Sequence, residues 1–215
     1  MNYKAIIFDL DGTLVDSLED ISDAMNIVLS EEDFPTHSYD TYQYFIGSGL
    51  RNLVSKALPD STTSETDIEE SFEKMIAVYS DNCTVKTKPY KGILNLVNEL
   101  SAREIKLAVL SNKADALTKE IVSTIFPNQF EFAEGVKSEE FKKPHPFEAL
   151  EIAKKWQLQP EEILFVGDSD IDMLTANNAK MQAVGVTWGY RTESELRESG
   201  ARYIVNSPRE LIDLF

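Results

Sequence analysis

The sequence predicts an α/β fold with a mainly parallel sheet, interrupted near its start by a block of helices. Three observations carry this reading. Short apolar runs suited to strands buried on both faces recur at residues 5–8, 106–110, 163–166 and 183–186, with helical patterns between them. Three of those runs end at once in polar residues of catalytic type. The alternation of strand and helix is suspended over residues 17–84, where only helical periodicity occurs.

Residues 5–8, Ala-Ile-Ile-Phe, make the first strand, and Asp9, Leu10, Asp11, Gly12 and Thr13 follow directly. The carboxyl end of a strand in an open α/β sheet borders the crevice where ligands bind, so acids placed there face a ligand. Ser17 is positioned to cap a helix whose apolar face is Leu18, Ile21, Met25, Val28 and Leu29, with Asp20 near its positive end. Residues 31–35 break that helix, and a short helix follows at residues 41–45. Gly47-Ser48-Gly49 forms a loop, Leu50, Leu53, Val54, Ala57 and Leu58 mark the next helix, and residues 60–64 are a polar loop. Ile68, Phe72, Met75, Ile76 and Tyr79 stripe the last helix of the block. A helical block in this place reads as an inserted domain, residues 17–84, that leaves residues 1–16 and 85–215 as an α/β core.

From Pro89 the core resumes with a helix over residues 92–101 and the strand 106–110, which ends in Ser111-Asn112-Lys113. A helix over 114–125 and a weaker strand over 130–135 precede Phe141-Lys142-Lys143-Pro144-His145-Pro146, which leads into a helix over 147–156. The strand 163–166 closes with Gly167-Asp168-Ser169-Asp170-Ile171-Asp172. The next helix ends at 177–180, the strand 183–186 runs into Thr187-Trp188-Gly189-Tyr190-Arg191, and residues 202–205 and 208–215 supply a last strand and a docking helix.

The 215 residues are 42% hydrophobic, enough for a core that needs no covalent staples. Cys83 is the single cysteine, which excludes an intrachain disulfide and suits a reducing cytoplasm. No stretch has the character of a signal peptide or a membrane span. With 37 acidic against 21 basic residues, the net charge of −16 argues against nucleic acid or an anionic membrane as a partner. An anionic substrate therefore requires a locally positive site, built from a bound metal and one or two placed Lys or Arg residues.

Right-handed crossovers bring the carboxyl ends of parallel strands to one rim, so Asp9 with Asp11, Ser111 with Asn112, and Asp168 with Asp172 converge. Phosphoryl transfer to a carboxylate accounts for this inventory. Two unit negative charges at 4 Å repel by roughly 4 kcal/mol at an effective dielectric of 20, and a hard cation removes that repulsion. Asp9 and Asp168 suit Mg²⁺, and Asp172, one helical turn on, is placed to orient a metal-bound water. Lys143 adds positive charge, while Ser111 and Asn112 donate to phosphate oxygens. Singly, Ser-Asn-Lys is an ordinary helix cap, Lys-Pro-His-Pro a rigid turn, and Gly-Asp-Ser a capped helix start. His145, lying between two prolines, is assigned no role.

Together and in this order, Asp-X-Asp-Gly-Thr, Ser-Asn, Lys-Pro and Gly-Asp-Ser-X-X-Asp resemble the motif set of the haloacid dehalogenase superfamily phosphatases, over the whole chain. That resemblance implies a Rossmann-like three-layer core, with the insert as a C1 cap, a helical bundle that closes over the site. It makes Asp9 the nucleophile that becomes an aspartyl-phosphate and Asp11 the general acid and base. It makes Asp9, the Asp11 backbone carbonyl and Asp168 magnesium ligands beside Asp172, and places Gly12 and Thr13 in the phosphate region with Ser111, Asn112 and Lys143. Ser111-Asn112-Lys113, Gly47-Ser48-Gly49 and Thr187-Trp188-Gly189-Tyr190 are most similar to the phosphoglycolate phosphatases.

The expectation is therefore a cytoplasmic monomer or homodimer that hydrolyses a small phosphomonoester, 2-phosphoglycolate first, with Mg²⁺. Gly47, Ser48 and Gly49 offer close backbone approach at a helix start, and Arg51 is the candidate for the substrate carboxylate. The alternatives are a β-phosphoglucomutase-like sugar phosphomutase and, from another class, a phospho-accepting receiver that does not turn over. The insert lacks the Arg-Leu-Lys-Gly-Val-Ser type of segment associated with the mutases, and receivers carry no insert of this size. Two departures stand out: Lys180, where relatives commonly have Gly, and the missing Gly before Lys-Pro, which sets Lys142 beside Lys143. Proline's neighbour, Lys143, is taken as the inward lysine.

Overall fold

A computed structural model describes residues 3–62 and 64–215; Thr63, within the expected polar loop, lies outside the described residues, as do Met1 and Asn2. The chain divides into two compact units, Met1–Asp16 with Pro89–Phe215, and Ser17–Lys88.

In chain order the strands are β1 (Ala5–Phe8), β2 (Val15–Asp16), β3 (Lys88–Pro89), β4 (Lys106–Ala114), β5 (Phe132–Val136), β6 (Ile163–Gly167), β7 (Gln182–Val186) and β8 (Tyr203–Val205). The helices are α1 (Leu18–Glu31), α2 (Tyr39–Phe45), α3 (Leu50–Ala57), α4 (Glu65–Asn82), α5 (Ile93–Ala102), α6 (Asp115–Ile125), α7 (Phe147–Trp156), α8 (Asp170–Asn178), α9 (Glu193–Glu198) and α10 (Pro208–Ile212).

The larger unit is built on a six-stranded sheet of order β5-β4-β1-β6-β7-β8 in which every adjacent pair is parallel. β1, β6 and β7 are buried along their whole lengths, as continuous Val, Ile, Phe and Ala runs require. Ala5, Ile7, Ala108, Leu110, Ile163 and Phe165 point to one face, where Ile152 and Trp156 of α7, Met173 and Ala176 of α8 and Leu196 of α9 complete a core cluster. α5 and α6 also pack on β4, with no residue in that cluster. The register pairs Phe8 with Val109 and with Val166. Asp9 therefore leaves β1 level with Leu110 of β4 and with Gly167 at the end of β6, and its N–H bonds the Val166 carbonyl at 2.9 Å.

β4 runs to Ala114, past its expected end at residue 110, with a register shift between Leu110 and Ala114. Ser111-Asn112-Lys113 thus occupies an irregular strand end; the helix that follows starts at Asp115 with no side-chain cap.

The smaller unit comprises α1 to α4. Ser17 stands at the N-terminus of α1, but its side chain makes no capping bond. The Asp20 carboxylate instead accepts the N–H groups of Lys86 (2.9 Å) and Thr87 (2.8 Å) and the Thr87 hydroxyl (2.8 Å). This clasp ties residues 86 and 87 to α1, within a unit that runs Ser17–Lys88 where residues 17–84 are expected. α4 begins with a reciprocal Ser64–Asp67 capping box. No helix among the described residues is long and apolar enough to cross a membrane.

Candidate active site

Asp9 and Asp11 follow β1, Ser111 to Lys113 end β4, Lys143 precedes α7, and Asp168 and Asp172 span the turn from β6 into α8. Asp9, Asp168 and Asp172 are buried, and each offers an oxygen within 4.8 Å of the others. Lys143, buried as well, places Nζ 2.8 Å from Asp9 Oδ1 and 2.7 Å from Asp172 Oδ1. Lys142 turns outward and pairs with Glu139 at 3.0 Å. The bond between Lys143 and Pro144 is cis.

Burial, then the charge of Asp172, pushes the Asp9 carboxyl well above the usual carboxylate range, against the pull of Lys143. Burial and Asp172 likewise push Asp168 up to about 7, against the bonds from Tyr190 and Thr13. For Lys143 burial acts downward, but Asp172 and Asp9 outweigh it and raise the ammonium's pKa. Three buried carboxylates facing one buried ammonium leave excess negative charge in a dry site. An all-oxygen donor set with that excess suits a hard divalent cation, so the residues present fit a metal of that class.

Asp172 also starts α8: its Oδ2 accepts Ser169 N–H (3.1 Å) and Oγ (2.6 Å) in a capping box, so one carboxylate both caps the helix and holds Lys143. Thr13 is fully buried, and its hydroxyl donates to Asp168 Oδ1 at 3.0 Å. Within the phosphate region in which Thr13 is expected, its hydroxyl is committed to orienting Asp168. The Asn112 carboxamide is committed too, donating to the Lys143 carbonyl at 3.0 Å and accepting the Lys143 N–H at 2.9 Å. That side chain fixes the backbone that presents Lys143. Ser111 Oγ accepts the Lys113 N–H at 3.2 Å. Gly12 has φ +86, and a Cβ there would lie 2.7 Å from Asp168 Cγ, so only glycine fits.

Lys113 is assigned no role by the motifs, yet its buried Nζ lies 2.6 Å from Asp11 Oδ1. No local signal pointed to this pair, because the register of β4 shifts between Leu110 and Ala114. Trp188 and Tyr190 were also unassigned. Trp188 Nε1 donates to the Thr13 carbonyl at 3.0 Å and the Tyr190 N–H donates to Asp168 Oδ2 at 2.8 Å.

Gly47, Ser48, Gly49 and Arg51 belong to the smaller unit. Gly47 and Gly49 have φ +121 and +86, and Gly49 precedes α3. Arg51 pairs with Glu65 at 2.5 Å and Glu69 at 3.1 Å, both on α4. Its guanidinium is engaged by two carboxylates of its own unit.

The family model of the haloacid dehalogenase-like hydrolases matches residues 6–186. A phosphoglycolate phosphatase of Aquifex aeolicus is 33% identical over 213 residues, covering 98% of this chain and 96% of that one. A phosphoglycolate phosphatase of Chromobacterium violaceum is 31% identical over 215 residues, with coverages of 98% and 96%. Among solved structures, a Lactobacillus delbrueckii protein assigned by inference as a phosphoglycolate phosphatase superposes with a TM-score of 0.93 at 31% identity, covering 100% of this chain and 98% of that one.

Proposed function

The chain belongs to the haloacid dehalogenase-like hydrolases, and from that premise we propose that it hydrolyses 2-phosphoglycolate with Mg²⁺ as its metal. It is a phosphatase acting on phosphomonoesters, the activity for which its relatives are named. The metal and the aspartyl-phosphate rest on one observation, that Asp9 stands with Asp168 and Asp172 in a buried carboxylate cluster against Lys143, and 2-phosphoglycolate rests on the activity for which the relatives are named.

In this reading Asp9 Oδ attacks phosphorus and the ester P–O bond breaks, leaving the phosphoryl group on Asp9 as an aspartyl-phosphate. Asp11 gives its proton to the departing alkoxide, then takes one from the water that attacks phosphorus. The bond to Asp9 breaks, the free carboxylate returns, and orthophosphate leaves. Lys143 offsets charge on the carboxylates while Asn112 holds its backbone in place. Asp9 and Asp168, with the Asp11 carbonyl and with Asp172 behind them, would hold Mg²⁺, which when bound supplies charge neutralisation and an electrophilic contact for the phosphoryl oxygens. The helical insert is assigned the reading of the organic part of the ester, as a cap domain. A single buried cysteine suits the cytoplasm we assign to it.

The test is a phosphate-release panel with and without chelator, comparing 2-phosphoglycolate, hexose phosphates, nucleotides and pyrophosphate. Magnesium-dependent release with the highest kcat/KM on 2-phosphoglycolate is expected. Preference for a hexose phosphate would overturn the substrate, and full activity in chelator would overturn the metal.

A further inference from the structure

Both oxygens of the Asp168 carboxylate are engaged from opposite sides: Oδ1 by the Thr13 hydroxyl at 3.0 Å and Oδ2 by the Tyr190 N–H at 2.8 Å. Two residues before Tyr190, the Trp188 indole N–H bonds the Thr13 carbonyl at 3.0 Å. These three bonds close a ring in which Trp188 holds Thr13, Thr13 holds one oxygen of Asp168, and Tyr190 holds the other. Gly189 sits inside that ring. A Cβ there would overlap Asp168 Cβ and the Gly12 carbonyl oxygen and lie 2.6 Å from Asp168 Cγ. Asp168 is thus wedged between Gly12 and Gly189, with main-chain atoms on both flanks.

The ring has work to do because the carboxylates of Asp9, Asp168 and Asp172 crowd within 4.8 Å. Left to rotate, Asp168 would relieve that crowding by turning its oxygens away from the other two, and the donor set would be lost. Fixed donors on both oxygens prevent the rotation before any cation arrives.

We propose that Trp188, Gly189 and Tyr190 form a positioning unit for Asp168, so that the loop after β7 sets the affinity of the site for a divalent cation. Trp188 fixes the turn after the nucleophile, the Tyr190 main chain fixes the carboxylate rotamer, and Gly189 supplies the space for both. The inference rests on Asp168 being the metal ligand proposed above. The competing account is that Trp188 merely packs.

Trp188→Phe separates the two accounts, since it keeps the apolar ring and removes the N–H. Calorimetric titration with Mg²⁺ alone, on the full chain, should give about tenfold weaker binding, the lower end of the usual cost of losing an outer-shell partner. At saturating Mg²⁺ the ester KM should stay within twofold of wild type, and so should melting behaviour in chelator, within a few degrees. Gly189→Ala should weaken Mg²⁺ by about 100-fold; if that variant does not fold, Trp188→Phe still decides. Unchanged Mg²⁺ affinity in Trp188→Phe, with or without lost stability, overturns the proposal. Wild type that binds Mg²⁺ but releases no phosphate from 2-phosphoglycolate overturns the substrate reading alone, because the calorimetric comparison does not use turnover. Wild type that binds no Mg²⁺ overturns both.

Discussion

Lys113 Nζ, fully buried, lies 2.6 Å from Asp11 Oδ1. Asp9, two residues earlier, is held by a different lysine, Lys143, at 2.8 Å. Separate cations therefore orient the proposed nucleophile and the proposed acid and base, which lets the two neighbouring carboxylates keep different jobs. Lys113→Met should leave Asp11 without that orientation and lower kcat about 10- to 100-fold with KM for the ester nearly unchanged. Steady-state kinetics on the purified variant would check this, and a loss below twofold would show that Asp11 needs no such anchor.

Asp9→Asn should abolish phosphate release while the protein stays folded, because the isosteric amide packs but is not a nucleophile. It also removes one of three mutually repelling buried carboxylates, so its melting temperature in chelator should match or exceed that of wild type. Residual turnover above about one part in a thousand would move the nucleophile elsewhere.

The strands and the acids at their ends were legible because runs such as Ala-Ile-Ile-Phe and Ile-Leu-Phe-Val leave little choice but a buried parallel strand, and topology then carries Asp9 and Asp168 to one rim. Pairings between side chains were not legible. Nothing in Ser-Asn-Lys states that β4 slips register before Ala114, and it is in that irregular strand end that Asn112 bonds the Lys143 backbone and Lys113 meets Asp11. Ser17 and Asp20 likewise looked like a cap and a dipole partner, yet Asp20 has buried donors from residues 86 and 87, contacts almost seventy positions away that no local pattern encodes.

Stability should depend on pH through the same carboxylates. Burial and Asp172 raise Asp168 to about 7, and burial raises Asp9, whereas an unfolded Asp titrates near about 4. Between those values the folded protein binds more protons than the unfolded chain, so stability falls as pH rises through the interval. Glu134 and Asp115 are shifted downward and act with the opposite sign, but only below about pH 4.5. In chelator, the melting temperature should therefore decline from pH 5 to pH 7, and saturating Mg²⁺ or Asp168→Asn should flatten the decline. A wild-type curve as flat in chelator as in Mg²⁺ would contradict this.

Arg51 makes a different prediction from the one its position after Gly47-Ser48-Gly49, at the start of α3, suggested. Its pairs with Glu65 and Glu69 are exposed, and such pairs contribute about 0–1 kcal/mol. Arg51→Ala should change kcat/KM for 2-phosphoglycolate and for a neutral small phosphate ester by the same factor, within about twofold. A selective loss on 2-phosphoglycolate would restore Arg51 as the carboxylate receptor.

Lys180 sits where α8 ends in a left-handed turn. Its φ is +60, its N–H bonds the Asn177 carbonyl at 3.1 Å, and the Met181 N–H bonds the Ala176 carbonyl at 2.9 Å. That pair of reversed bonds is a Schellman motif, and its left-handed residue is usually glycine because a Cβ is strained there. The left-handed conformation costs a residue with a Cβ roughly 1–2 kcal/mol, and part of the gain from removing it is offset by the larger entropy of glycine in the unfolded chain. Lys180→Gly should therefore stabilise the protein by about 0.5–1 kcal/mol, which for a chain of this size raises the melting temperature by roughly 1–4 °C. The side chain is exposed and belongs to none of the bonds that orient Asp168 or Lys143, so kcat and KM should not change. A lower melting temperature for Lys180→Gly would mean that the lysine side chain contributes more to the end of α8 than its backbone strain removes.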